Sequence, residues 1–112
     1  MSRPLHIGIS RLNRAIADYS LARLEFTIAY PEAPAPPLVP RVGGTQVAQP
    51  VASWAQTMKQ VATLSRYVDD MRAANIALDR DPVFDRLVKA IRQVGMLAWN
   101  MESMHRRSGG SG

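Results

Sequence analysis

The sequence predicts an all-α protein in which an antiparallel helical hairpin, at about 53–78 and 82–107, follows a short N-terminal helix and an extended proline-rich arm. Two observations predict this fold class. Apolar residues recur at spacings of three and four through the C-terminal half, and six of the eight prolines cluster within residues 31–52. The predicted segments are an N-terminal docking segment with a short helix at 1–30, a proline-rich linker at 31–52, the hairpin at 53–107 and a Ser-Gly linker outside the fold at 108–112.

The N-terminal helix is predicted at residues 11–22, with Ser10 as its N-cap. Its shared apolar face is formed by Ile9, Leu12, Ala15, Ile16, Tyr19, Ala22 and Phe26. The period blurs after Tyr19, because Arg23 interrupts that face. A second apolar stripe lies roughly opposite, at Leu21, Leu24 and Ile28. Residues 23–30 are therefore compatible with a helix or with a strand, and residues 1–8 are expected to be turn-like.

The proline-rich stretch is predicted to be a stiff spacer rather than a packed element. Prolines recur at every third residue, at Pro31, Pro34, Pro37 and Pro40. This is the period of a polyproline II helix, which places them along one edge. A Pro-x-x-Pro ladder is also typical of SH3-domain ligands, but Arg41 does not stand at the offset that such ligands use. Gly43-Gly44 then predicts a hinge.

Two long amphipathic helices make the predicted hairpin. The first is capped by Ser53 and carries on one face Trp54, Met58, Val61, Leu64, Val68 and Met71. Asp81 is a good N-cap and Pro82 suits the first position of the second helix, so only about three residues separate the helices. A connection this short predicts an antiparallel pair. The second helix presents a heptad seam of Phe84, Leu87, Ile91, Val94, Ala98 and Met101.

The last helix is apolar over more of its circumference than one hairpin partner can cover. At about 100° per residue, its apolar positions span roughly 200°, against the ~100° stripe of an ordinary surface helix. Either the N-terminal helix folds across the surplus or another protein does. Methionine suits a binding surface because its unbranched side chain adapts to irregular pockets. The predicted partner-binding residues are Trp54, Val88, Leu97, Trp99, Met101 and Met104.

No constellation in the sequence indicates an enzyme or a cofactor site. His6 and His105 stand far apart and the chain has no cysteine, which disfavours a metal site. Asp69-Asp70 falls on the polar side of a helix, where a solvated surface is more ordinary than an acid–base pair. Gly43-Gly44 lacks the lysine and the hydroxyl residue of a phosphate-binding loop. We therefore expect no catalytic, cofactor-binding or metal-binding residue.

Charge and hydropathy narrow the partner classes. The net charge is +5, but apart from Arg106-Arg107 the basic residues form no stripe and are not interleaved with aromatic residues, which disfavours a specific nucleic acid. No apolar run reaches the ~18 residues of a membrane-spanning helix, and the N-terminus lacks the apolar centre of a cleaved signal peptide. In a chain this small without disulfides, association with another protein is the favoured source of added stability.

The first twelve residues contain a recognisable pattern, Met1-Ser2-Arg3, His6-Ile7-Gly8-Ile9 and Leu12. This opening resembles the start of the YscX/SctX family, small components of type III secretion systems, and the layout of helix, proline-rich segment and further helices is similar as well. The resemblance implies that the segment from His6 to Leu12 is an uncleaved export signal or docking segment. It also implies a bacterial cytoplasmic protein, itself a candidate for secretion, whose C-terminal helices bind an SctY-like helical-repeat chaperone. The pair then engages the export gate SctV and supports export of early substrates.

Two other functions remain open. One is a different helical-hairpin secretion subunit, such as a needle-like or WXG-like protein, although Trp54 lacks the Trp-x-Gly turn. The other is a small regulator or inhibitor from a phage or mobile element that acts by protein–protein binding, which the basic pI permits.

Overall fold

The computed structural model describes the backbone of residues 3–42 and 50–110, and the side chains of residues 8–42, 56–75 and 77–103. The predicted all-α fold is confirmed. Helix α1 is Arg3–Ala29, α2 is Pro50–Ala74 and α3 is Pro82–Gly110, with a 3₁₀ helix at Ile76–Arg80 between α2 and α3. Over these residues the structure contains no strand. The helices α2 and α3 form the hairpin, and α1 lies along α3.

The bounds of α1 differ from the prediction at both ends. It begins at Arg3 and continues to Ala29, so the turn-like start and the strand alternative for residues 23–30 are both wrong. Ser10 is an exposed residue within the helix rather than its cap. The reason is tertiary: Ile9 and Phe26, near the two ends of the predicted apolar face, are 7% and 0% exposed. Burial along this whole length outweighs the weak local signals, because most helical stability comes from packing.

The hairpin connection is longer than predicted. Helix α2 ends at Ala74 instead of Leu78, because Asn75 adopts an extended backbone and its side chain accepts a hydrogen bond from the amide of Ala77 at 3.1 Å. The predicted start of α3 is correct: Pro82 is its first residue and Asp81 caps it, accepting a bond from the amide of Val83 at 2.8 Å. At its other end α3 continues to Gly110, beyond the predicted Arg107.

Close approach of the two hairpin helices is centred on a glycine. A Cβ added at Gly95 of α3 would lie 3.2 Å from a methyl group of Val61 of α2. This distance is tighter than an ordinary van der Waals contact, so the absence of a side chain sets how near α2 can lie. Leu64 and Val68, which follow Val61 on the same face of α2, are buried beside α3.

Helix α1 covers much of the wide apolar arc of α3. Among the described residues, one core cluster is formed by α1, α2, the 3₁₀ helix, α3 and the proline-rich segment. Its buried members are Ile9, Leu12, Ala15, Ile16, Tyr19, Ala22, Phe26, Val39, Val42, Leu64, Val68, Leu78, Phe84, Leu87, Val88, Ile91, Val94, Ala98 and Met101. The heptad residues predicted to form a two-helix seam are therefore shared between α1 and α2. The N-terminal segment belongs to the core and is not an appendage of the hairpin.

The proline-rich segment is packed, and its prediction as a spacer is wrong. We call residues 30–42 the proline strap. Its inward residues recur at every third position, as a polyproline II helix requires: Pro36, Val39 and Val42 are buried, and Ala33 is partly buried against the core. The predicted period of three residues is therefore present, but it places side chains in the core instead of along a free spacer. The hinge expected at Gly43-Gly44 lies outside the described residues.

The strap connects two helices whose backbones do not approach each other. Over the described residues, no contact between α1 and α2 is formed at the level of Cα atoms. From α1, the Tyr19 hydroxyl donates to the carbonyl of Pro37, and Arg23 Nε donates to the carbonyl of Pro36 at 2.7 Å. From α2, the Tyr67 hydroxyl donates to a third strap carbonyl. These bonds satisfy carbonyls that a polyproline II segment cannot satisfy internally.

The far end of the strap is fixed by a reciprocal pair of hydrogen bonds. Asn13 Nδ2 donates to the carbonyl of Val42 at 2.9 Å, and Asn13 Oδ1 accepts from the amide of Val42 at 2.8 Å. A single carboxamide thus pairs both backbone groups of a residue 29 positions away in the chain. The strap therefore runs antiparallel to α1, from a turn after Ala29 back to Asn13.

Candidate partner-binding surface

The structure separates the residues predicted to bind a partner. Val88 and Met101 are buried, at 6% and 3% exposure, so they are core residues and their prediction as surface is wrong. The sulfur of Met101 lies so near α1 that a Cβ at Gly8 would overlap it. The glycine therefore permits α1 and α3 to lie close together at this end. The side chains of Trp54 and Met104 lie outside the described residues.

Leu97 occupies an intermediate position at the junction of α1 and α3. It is partly buried against the core and lines an open cleft of about 370 Å³ together with Arg11, Arg14, Ala15, Asp18 and Gln93. Four of these six residues belong to α1, so the flank predicted for another protein is largely occupied by this chain's own first helix.

Of the predicted partner residues whose side chains the structure describes, Trp99 is the most exposed. Its side chain is 61% exposed, and Met96, three residues earlier on the same side of α3, is 55% exposed. Exposed tryptophan is uncommon, because burying this side chain removes a large apolar area from water. Arg92 precedes Met96 by one helical turn and is also exposed. Met96 and Trp99 thus form an apolar surface next to the positive charge of Arg92. We call Met96 and Trp99 the α3 patch.

The predicted export signal is only partly accessible. The side chains of His6 and Ile7 lie outside the described residues, although their backbone belongs to α1. Gly8 is partly buried, and Ile9 and Leu12 are core residues with 7% and 0% exposure. The prediction that this segment is a free linear element is therefore contradicted over Ile9 and Leu12. Both side chains become accessible only if α1 leaves α3.

A second exposed apolar surface was not predicted as a binding site. Leu21, Leu24 and Ile28 are 64%, 54% and 72% exposed, and they lie on the side of α1 opposite the core. We call these three residues, with the exposed Ala17, the α1 stripe. The signal was present in the sequence, where this stripe, together with Arg23, blurs the period after Tyr19. Two apolar stripes on opposite faces of one helix indicate that each face favours contact with another apolar surface.

The hydroxyls of Tyr19 and Tyr67 hold the strap against α1 and α2 through hydrogen bonds. Burial raises the pKa of the Tyr19 hydroxyl well above its ordinary range, and the guanidinium of Arg23 opposes the shift. Burial also raises the pKa of Tyr67, again with Arg23 opposing. Both hydroxyls donate hydrogen bonds to strap carbonyls, so the protonated form is the one that the fold requires.

Among the described residues, no Asp, Glu, Lys or Arg side chain is buried. The three ion pairs found among the described residues are Arg72–Asp79, Arg86–Glu25 and Lys89–Asp85, with at least 39% exposure of every side chain. In that part of the chain, no group of three or more potential metal-ligating side chains comes together. No helix among the residues searched is both long enough and apolar enough to span a bilayer.

Neither a known family, nor a curated protein, nor a solved structure matches this chain.

Proposed function

We propose that this protein is a non-enzymatic component of a bacterial type III secretion system. In this proposal it binds a small SctY-like helical-repeat chaperone and the export gate SctV, and it supports the export of early substrates. The resemblance of His6-Ile7-Gly8-Ile9 to the opening of the YscX/SctX family supports the assignment to this system. Because no chemistry-bearing cluster was identified in the sequence, we propose that the protein acts by binding.

The proposed binding role rests on one observation, the exposure of Trp99 on α3. Tryptophan and arginine are enriched among residues that dominate binding energy, and Arg92 and Met96 lie on the same side of the helix. A concave helical-repeat surface could accept such a convex helix face. The α3 patch therefore replaces Val88 and Met101 as the proposed contact with the chaperone.

Burial of Ile9 and Leu12 adds a conformational requirement to this proposal. If the export gate reads the N-terminal residues in extended form, α1 must first detach from α3. Detachment would uncover apolar residues of α3, including Leu87 and Val94, which are fully buried in the free chain. A bound chaperone would then offset the cost of exposing them to water.

The test is co-purification with an SctY-like chaperone and, separately, with the cytosolic part of an SctV-like protein. Trp99→Ala should weaken chaperone binding by about 30-fold, since a central aromatic anchor contributes about 2 kcal/mol or more. Leu38→Ala is the matched control, because Leu38 is 69% exposed but belongs to the strap. Absence of binding by the unaltered chain, or equal loss in both variants, would contradict the proposal. Capture of a nuclease or polymerase would favour the regulator instead.

A further inference from the structure

The α1 stripe is a second surface, on a different helix from the α3 patch, and the proposed function does not use it. Its members are Ala17, Leu21, Leu24 and Ile28, at successive spacings of four, three and four. This is the spacing of the seam in a two-helix coiled coil. The seam spans about 17 Å at 1.5 Å per residue. It lies on the side of α1 opposite the core face that packs on α3.

From this spacing we infer that the α1 stripe binds the α1 stripe of a second copy, in antiparallel orientation. A two-fold axis between Leu21 and Leu24 would place Leu21 against Leu24 of the second copy. The same axis would place Ala17 against Ile28 of the second copy, so that a small side chain meets a large one. The seam is thus self-complementary, as an interface made from the same patch on two subunits must be.

The exposed charges of the N-terminal segment favour the same orientation. Its first half carries Arg11 and Arg14, and Glu32 stands just beyond the last turn of α1. Antiparallel pairing brings each arginine pair beside the glutamate of the other copy, whereas a parallel pair would align like charges. Within the described residues none of these three side chains forms an ion pair in the single chain.

One contact between like charges would oppose this pairing, and an ion pair within the single chain weakens that repulsion. Asp18 and Glu25 lie along one edge of the stripe, and in the antiparallel pair they would approach each other between copies. However, Glu25 accepts a hydrogen bond from Arg86 of α3 at 2.8 Å. The guanidinium therefore balances one of the two carboxylates at that edge.

The length of the seam sets the expected strength of the dimer. Four positions over about 17 Å cover less than the ~800 Å² per partner of a standard stable interface. The dimer should therefore form at micromolar to submillimolar concentration. Sedimentation equilibrium of the full chain from about 10 to 500 μM should show reversible monomer–dimer association.

Variants then locate the interface. Leu24→Asp should weaken dimerisation at least tenfold and leave the helical circular dichroism signal unchanged, because Leu24 is 54% exposed in the single chain. Met96→Asp, at an exposed apolar position on α3, should leave the dimer intact. This control also separates the two proposals, since it alters only the α3 patch.

Charge exchange tests the orientation. Arg14→Glu should weaken the dimer several-fold, and adding Glu32→Arg to that variant should restore it, because opposite charges then face each other again. A chain that stays monomeric up to about 500 μM, or a dimer that Leu24→Asp leaves unchanged, overturns the inference. Failure of the charge exchange to restore association overturns the antiparallel orientation. None of these results depends on binding to a chaperone or an export gate.

Discussion

Replacing Phe26 by alanine tests whether α1 belongs to the same cooperative unit as the hairpin. Phe26 is fully buried, with its ring centroid 5.0 Å from that of Tyr30, 6.4 Å from Tyr67 and 6.0 Å from Phe84. The contacted rings belong to the strap, α2 and α3, respectively. One side chain of α1 therefore joins every major part of the fold, and its removal should weaken all of them.

The expected loss follows from this burial. Truncating a buried phenylalanine to alanine costs about 3–5 kcal/mol, because transfer free energy is lost and a cavity remains. A domain of this size has a total unfolding free energy of about 5–15 kcal/mol. Phe26→Ala should therefore remove about a third to a half of the unfolding free energy of a domain near the middle of that range. If α1 were only attached to an independently stable hairpin, the loss measured on α2 and α3 would be below about 1 kcal/mol.

Urea unfolding followed by circular dichroism supplies the measurement, with the slope against denaturant reporting how much surface becomes exposed. The matched control is Leu38→Ala, which lies outside the α1 stripe and should cost no more than about 0.5 kcal/mol because Leu38 is 69% exposed. Near-equal effects of the two substitutions would refute the three-helix core. Two separate unfolding transitions in the unaltered chain would also refute the three-helix core.

Three further predictions concern the strap and α1. Tyr19→Phe should cost about 1 kcal/mol near neutral pH through loss of the bond to Pro37, as measured by urea unfolding. The pKa of Tyr19 is raised in the folded state from its ordinary value of 10.0, so the folded chain binds this proton more tightly than the unfolded chain. The stability that this proton contributes is complete below about pH 10 and is lost as pH rises toward the folded pKa. Tyr19→Phe should therefore reduce the loss of stability at alkaline pH. An unchanged dependence of stability on pH would show that Tyr19 does not cause that loss. Arg23→Gln should increase hydrogen exchange in the part of α1 that contacts the strap, because the bond from Arg23 to the carbonyl of Pro36 is lost. Exchange in α2 and α3 should stay unchanged. A uniform loss of protection in all three helices would show that the effect of Arg23 is not confined to the strap. In the unaltered chain, amides from Leu12 to Phe26 should be protected to within about 1 kcal/mol of those in α3; exchange of α1 at the rate of an unfolded segment would show that it is detached.

Local sequence signals predicted the start of α3 correctly, whereas α2 begins at Pro50, so that Ser53 lies within the helix and is not its N-cap as predicted. Asp81 and Pro82 combine a cap with a residue that suits the first helical position, and neither depends on distant contacts. The sequence predicts the end of α2 near Leu78, where the run from Asp79 to Pro82 interrupts a helix, and this end is four residues late. In the structure Asn75 ends α2, and Leu78 reaches the core from the 3₁₀ helix.

The candidate surfaces were predicted less well, because exposure depends on which helix covers which face. The sequence showed that α3 is too apolar for one partner, and it left open whether α1 or another protein covers the surplus. The structure assigns Val88 and Met101 to the core and leaves Trp99 exposed. No periodic pattern could separate these residues, because all three lie within or beside the same apolar arc.

The sequence by itself determined the helical class, the start of α3 and the threefold period of the proline segment, because each follows from the geometry of neighbouring residues along the chain. Only the tertiary structure decided that α1 extends from Arg3 to Ala29 and covers α3, and that the strap connects α1 with α2. Those outcomes depend on contacts such as that between Asn13 and Val42, 29 positions apart. A periodic pattern identifies an apolar face, whereas the position of the other elements determines whether that face is buried or remains exposed as a binding surface.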